Sequence, residues 1–134
     1  MFNLLISILF LLCPADSIPP SSEAEGGFAR MTFTSEQTYD FGKVSLKHKS
    51  KYKHTFLFSN TGTKDLRILH AATGCGCTTP TYTKDAIAPG KNGKVVVQFN
   101  PRGQHQGPFR KSVTIYSNDP RSYTRLFITG IITE

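Results

Sequence analysis

The chain has 134 residues, 38% of them hydrophobic, with 16 Lys plus Arg against 9 Asp plus Glu for a formal charge of +7. That is one domain's worth of chain, too short for two ordinary domains with separate cores and too apolar to be wholly disordered. With 11 Gly, 8 Pro and 10 Phe beside 2 Met and no Trp, the composition favours short strands joined by turns over a helical bundle, and the basic balance admits anionic partners.

Residues 1–15 (MFNLLISILFLLCPA) carry no charged side chain, and the apolar stretch from Leu4 to Cys13 is broken only by Ser7. This length suits the core of a signal peptide. A membrane span needs about 20 mostly apolar residues, and Pro14, Asp16, Pro19 and Pro20 end the run well before that. Ala15 and Ser17 form a small-x-small pattern that places cleavage after Ser17, with Ala15 as the rival position, so residues 1–17 read as a signal peptide and the chain as exported. Cys13 is a poor lipid anchor, because Leu11 and Leu12 precede it and Pro14 follows it. Residues 18–30, opening with the Pro-, Ser- and Glu-rich IPPSSEAEGG, read as a flexible leader, and residues 31–134 as the folded domain.

From there the hydrophobic period is two. Lys51 to Ser59 sets Tyr52, His54, Phe56 and Phe58 on one face, and Gly93 to Phe99 groups Val95, Val97 and Phe99. Further strand candidates are Met31 to Thr34 taken together with Thr38 to Phe41, then Leu66 to Ala72, Thr79 to Thr83, Phe109 to Ser117 and Tyr123 to Thr133. About seven strands over the folded segment predict an all-β, two-layer antiparallel sandwich. Asn60-Thr61-Gly62-Thr63 and Asn118-Asp119-Pro120 carry turn chemistry expected of hairpin connections, and Ala88-Pro89-Gly90 places Pro and Gly at the centre of a type II turn. Gly42, beside Asp40 and Phe41, is expected to bend or bulge its strand while Phe41 inserts inward.

Four pieces in order, Tyr39-Asp40-Phe41-Gly42-Lys43-Val44, Phe56-Leu57-Phe58-Ser59-Asn60-Thr61-Gly62, Gly74-Cys75-Gly76-Cys77-Thr78-Thr79-Pro80 and Ala88-Pro89-Gly90, resemble the bacterial domain of unknown function 1573. Ser117-Asn118 and Leu126-Phe127-Ile128-Thr129-Gly130 extend the resemblance over roughly Phe33 to Ile132. It implies an Ig-like sandwich similar to hydin-type and major-sperm-protein-type domains, in exported proteins of Gram-negative bacteria, and it implies no activity. The basic stretch from Lys43 to His54 is not demanded by the family pattern.

Cys75 and Cys77 form the chemical motif of the chain, and three readings stand open. They are a disulfide across Gly76, closing a small ring that is easily reduced; a soft-metal pair for Cu(I) or Zn(II) with His70 as third ligand; or two small buried thiols. Zinc normally wants four protein ligands, so that set is incomplete. A blue-copper site fails because the methionines, Met1 and Met31, lie far upstream. His70 shares the phase of Leu66, Ile68 and Ala72 and is expected to be half-buried. No nucleophile elbow, zinc-protease helix, phosphate loop or dinucleotide fingerprint occurs, so no enzyme activity and no cofactor are expected.

Lys47, Lys49, Lys51 and Lys53 recur every second residue and would align along one side of an extended chain. They read either as a solvated row that protects a strand edge or as a contact for an anionic envelope component or acidic protein surface. Export and the lack of an aromatic-basic stacking motif argue against nucleic acid. Tyr123, Arg125, Phe127, Thr129 and Ile131 alternate with Thr124, Leu126, Ile128, Gly130 and Ile132, so both faces of the last strand carry bulky apolar groups. The leading expectation is a noncatalytic interaction or structural module of the periplasm or envelope, and the rival is a redox-labile or soft-metal protein using the Cys75-Gly76-Cys77 loop.

Overall fold

Alternating side chains assemble into eight strands, in chain order β1 (Met31–Phe33), β2 (Thr38–Ser45), β3 (Tyr52–Asn60), β4 (Ile68–Thr73), β5 (Thr78–Tyr82), β6 (Asn92–Phe99), β7 (Gly107–Ser117) and β8 (Tyr123–Thr133). They form one four-stranded sheet of order β1-β3-β6-β5 and a second of order β2-β8-β7-β4. This computed structural model describes residues 26–47 and 51–134. The expected signal peptide, Cys13, most of the leader and Lys49 therefore lie outside the described residues. Among the described residues no helix is long and apolar enough to cross a membrane.

The core is where the two inner faces meet. Phe56, Phe58, Val95, Val97 and Phe99 from the first sheet and Val113, Ile115, Leu126, Ile128 and Ile132 from the second are all buried, in the phases that period-two alternation predicts. Each such Phe contributes on the order of 2–3 kcal/mol by leaving water. The last strand is thereby resolved: Leu126, Ile128 and Ile132 face inward, while Tyr123 and Ile131 stay about half exposed on the outer face.

The strand count differs from the expected seven because Met31 to Phe41 is two strands in opposite sheets. β1 pairs antiparallel with the end of β3, whereas β2 runs parallel to β8. Every other pairing is antiparallel, so the parallel β2-β8 contact is the departure from the expected sandwich. The Asn60 to Thr63 turn is likewise not a hairpin. It carries the chain from β3 in one sheet toward β4 in the other, whereas Asn118-Asp119-Pro120 does join the antiparallel neighbours β7 and β8.

Local chemistry explains the irregular points. Gly42 takes φ +67° and its N–H donates to Asp40 Oδ1 at 2.8 Å, where the β2 register shifts and Phe41 turns to pack on the core. Gly90 takes φ +78°, and the Lys91 N–H donates to the Ala88 carbonyl at 3.0 Å, as a type II turn requires.

Two buried polar side chains fix one end of the sandwich, and the second of them ties the layers together. Asn60, fully buried, accepts from the N–H groups of Arg30 and Gly62 and donates to the carbonyls of Lys64 and Ile87. Asp119, also buried, accepts from the Met31 N–H and from the Arg121 backbone and guanidinium, and that guanidinium donates onward to the Met31 carbonyl. The β7-β8 turn is thus clamped onto β1 of the opposite sheet.

Where β1 ends, the first half of β3 has no strand on that side among the described residues, and aromatic rings close the gap to β2. Tyr39 stacks on His54 at 3.6 Å, Phe41 meets Tyr52 edge-on at 5.8 Å, and the Ser45 N–H donates to Tyr52 Oη at 3.0 Å. Desolvation among these rings pushes the His54 pKa below its ordinary value. The unfolded chain then takes up a proton first as pH falls through about 6.5, so stability held above that pH declines toward the lower folded value. We expect the fall in Tm between pH 7.5 and pH 5.5 to shrink in His54→Phe, measured by circular dichroism at both pH values. An unchanged fall would remove His54 from the acid sensitivity.

Candidate functional site

The β4-β5 connection carries the chain from the second sheet to the first, and Gly74-Cys75-Gly76-Cys77 forms that crossover. Cys75 and Cys77 are joined by a disulfide with S–S 2.03 Å. The loop backbone is held independently of that bond. The Cys75 carbonyl accepts from the Thr78 N–H at 3.2 Å and from Thr73 Oγ1 at 3.1 Å, and the Cys77 carbonyl accepts from the Asn100 N–H at 2.8 Å.

The two sulfurs have different surroundings. Cys77 packs against the hydrophobic core, and its Sγ lies 3.6 Å from Thr78 Oγ1. Cys75 lines a cavity of about 190 Å³ with Gly74, Thr78, Arg110, Lys111 and Ser112, and its Sγ accepts the Cys77 N–H at 3.2 Å. Two cations and no carboxylate line this space. Lys111 was legible as an oddity in the sequence, since it occupies the apolar phase of Phe109, Val113 and Ile115. Arg110 had no such signal, because strand pairing alone brings β7 beside the cysteine loop.

His70 does not join the cysteines. A register shift between Ile68 and His70 leaves both Leu69 and His70 exposed, and His70 stacks on Tyr116 at 6.0 Å on the outer face. The expected half-buried histidine is thus corrected, the bulge having shifted the phase by one residue. Among the described residues no group of three or more His, Cys, Asp or Glu side chains comes together. In the disulfide neither sulfur is a thiolate ligand, so the soft-metal set of Cys75, Cys77 and His70 is not assembled in this structure.

Of the lysine row, Lys47 is exposed in the turn after β2, Lys51 is exposed just before β3, and Lys53 is exposed at its start. They flank the half of β3 that β1 leaves unpaired, the place where an edge-protecting charge acts.

A second surface feature had been visible only as alternation. On the outer face of β4, β7 and β8, His70, Tyr116 and Tyr123 form a ring series, with Tyr116 and Tyr123 6.2 Å apart. The Arg125 guanidinium lies 5.6 Å from the Tyr123 ring centroid and that of Arg110 4.2 Å from Phe127. Tyr116 and Tyr123 remain 41% and 49% exposed, so this strip is offered to solvent.

A family model described as "Protein of unknown function (DUF1573)" matches residues 31–132. No curated protein matches the chain. Among solved structures it is similar to a protein of unknown function from Porphyromonas gingivalis, at 18% identity and TM-score 0.65, covering 86% of this chain and 51% of that one. The chain thus spans about half that protein's length. It is similar also to the ASH / PapD-like domain of human CEP192 (PapD-like domain 7), at 13% identity and TM-score 0.62, covering 97% of this chain and 98% of that one. A third likeness, to the secreted serine protease VesC from Vibrio cholerae, has 14% identity and TM-score 0.54 and covers 76% of this chain and 23% of that one. At these identities the likenesses show the Ig-like, PapD-like fold alone.

Proposed function

The chain belongs to the DUF1573 family, and on that premise we propose that it is an exported, noncatalytic interaction module that binds an anionic component or protein surface of a Gram-negative cell envelope. The observation that carries this reading is the ring-and-guanidinium strip of exposed Tyr116, Tyr123 and Arg125 with the half-buried Phe127. Aromatic rings and arginines are the side chains that dominate binding surfaces, since they bury large area at low entropic cost and keep a charge for orientation. Export rests on the uncharged apolar start of the sequence, and N-terminal sequencing of the secreted chain should begin at Ile18 or Asp16.

The binding test compares two variants of the full chain for sedimentation with envelope fractions at low salt. Replacing Tyr116, Tyr123 and Arg125 by Ser should weaken binding about tenfold or more. Lys51→Glu with Lys53→Glu should lower it only modestly if those lysines serve the edge. Equal binding by the Ser variant and the unaltered chain overturns the assignment of this face.

A further inference from the structure

The geometry points to Cys75-Cys77 as a thiol–disulfide exchange site for a small thiol that carries carboxylates, with Cys75 as the sulfur that is attacked. This goes beyond the interaction face proposed above, uses none of Tyr116, Tyr123 or Arg125, and shares with that face only Arg110, whose guanidinium lies over Phe127. Access decides which sulfur reacts: Cys75 lines the cavity, while Cys77 is packed on the core. Charge decides the class of molecule: Lys111 and Arg110, adjacent on β7, are the ionisable residues lining the same space, and the Arg110 guanidinium lies over Phe127 on the outer face beside it. Cations in a small concave site raise the local concentration of an anion. The volume, about 190 Å³, lies below the usual range of about 300–1,000 Å³ for drug-sized ligands, so it takes the thiol-bearing end of such a molecule rather than the whole of it.

In the first step the incoming thiolate attacks Cys75 Sγ. A bond forms between the two sulfurs as the Cys75-Cys77 bond breaks, and Cys77 leaves as a thiolate that takes a proton from water. Thr78 Oγ1, 3.6 Å from Cys77 Sγ, is placed to donate to that thiolate as it departs. A second equivalent of the same thiol then attacks the sulfur of the bound molecule. Cys75 is released as a thiolate and the small molecule departs as its own disulfide. Two thiols are oxidised and the protein disulfide is reduced, so the electrons balance. The Cys77 N–H that already points at Cys75 Sγ at 3.2 Å stabilises the charge that Cys75 then carries. Since hydrogen bonds from the Thr73 hydroxyl and the Thr78 and Asn100 N–H groups hold the loop apart from the disulfide, this reduction can proceed without losing the crossover.

The test uses the full chain with glutathione, 2-mercaptoethanol and cysteamine, which differ in charge, compared at equal thiolate concentration near neutral pH and quenched by alkylation. Glutathione should react about tenfold faster than 2-mercaptoethanol and cysteamine more slowly than either, as electrostatic steering requires. The advantage of glutathione should vanish at about 1 M salt, where charges are screened within about 3 Å. Peptide mapping of the quenched intermediate should place glutathione on Cys75. Arg110→Gln with Lys111→Gln should bring the three rates together, and the salt series on the unaltered chain carries the same decision if that variant does not fold. Equal rates for the three thiols at low salt, glutathione found on Cys77, or a folded chain inert to all three would each overturn the assignment.

Discussion

Asn60→Ala is expected to remove at least about 3 kcal/mol of stability, a large part of the roughly 5–15 kcal/mol that holds a typical domain together. The side chain is fully buried and makes hydrogen bonds of 2.7 to 3.2 Å to Arg30, Gly62, Lys64 and Ile87. Truncation leaves the N–H groups of Arg30 and Gly62 without that acceptor. The Ile87 carbonyl keeps a second bond from the Leu66 N–H at 2.9 Å, so its loss is the mildest. Each orphaned buried group costs about 1–3 kcal/mol. Water has little room to replace the amide, because the turn is tightly packed: a Cβ on Gly62 would lie 2.2 Å from the Phe28 carbonyl oxygen. Urea unfolding provides the measurement, with a lowered midpoint at unchanged m. Thr61→Ala, at the exposed neighbour, is the control and should stay within about 1 kcal/mol. Equal midpoints for the two variants would show that Asn60 is only a local turn residue.

The second large effect lies at the clamp on β1. Asp119→Asn should cost about 2–3 kcal/mol, as expected for losing charge-assisted hydrogen bonds at a buried acceptor. The Arg121 side chain is 45% exposed, which keeps this below the full cost of splitting a buried ion pair. Burial by itself would raise the carboxyl pKa. The Arg121 side-chain hydrogen bond, the backbone N–H groups of Arg121 and Met31, and the Arg121 charge outweigh it and hold the pKa well below the usual carboxylate range. The unfolded chain therefore binds this proton first, so the stabilisation is complete above about pH 4 and is lost as pH falls through the folded value. Tm measured from pH 5 down to pH 2 should fall less steeply in Asp119→Asn than in the unaltered chain. Parallel curves would detach Asp119 from acid unfolding.

Both residues stood inside turn sequences that were readable, yet their weight was not. Asn60 read as a turn cap because Asn-Thr-Gly is turn chemistry. That it closes hydrogen bonds to residues 27 positions ahead and 30 behind depends on which strands surround it. Asp119 bonds its own turn through the Arg121 N–H, as an Asp in such a place does, and also reaches Met31, 88 residues upstream. Separations of that size leave no mark on local composition.

By itself the sequence determined what depends on neighbours within a few residues. The all-β class, the inward phases of Phe56, Phe58, Val95, Val97 and Phe99, the glycine bend after Phe41 and the type II turn at Ala88 to Lys91 all follow from side-chain period and from φ preferences. Tertiary structure decided strand partners. An unpaired strand edge accepts any neighbour with the right register, so only the summed burial of both sheets sends β1 and β2 to opposite layers and sets β2 parallel to β8. The same long-range choice turned His70 outward through a one-residue bulge, and it brought Arg110 and Lys111 from β7 to the cavity beside Cys75. A cysteine pair is visible in one line of sequence, but the charge around it belongs to a strand more than thirty residues away, and only packing puts the two together.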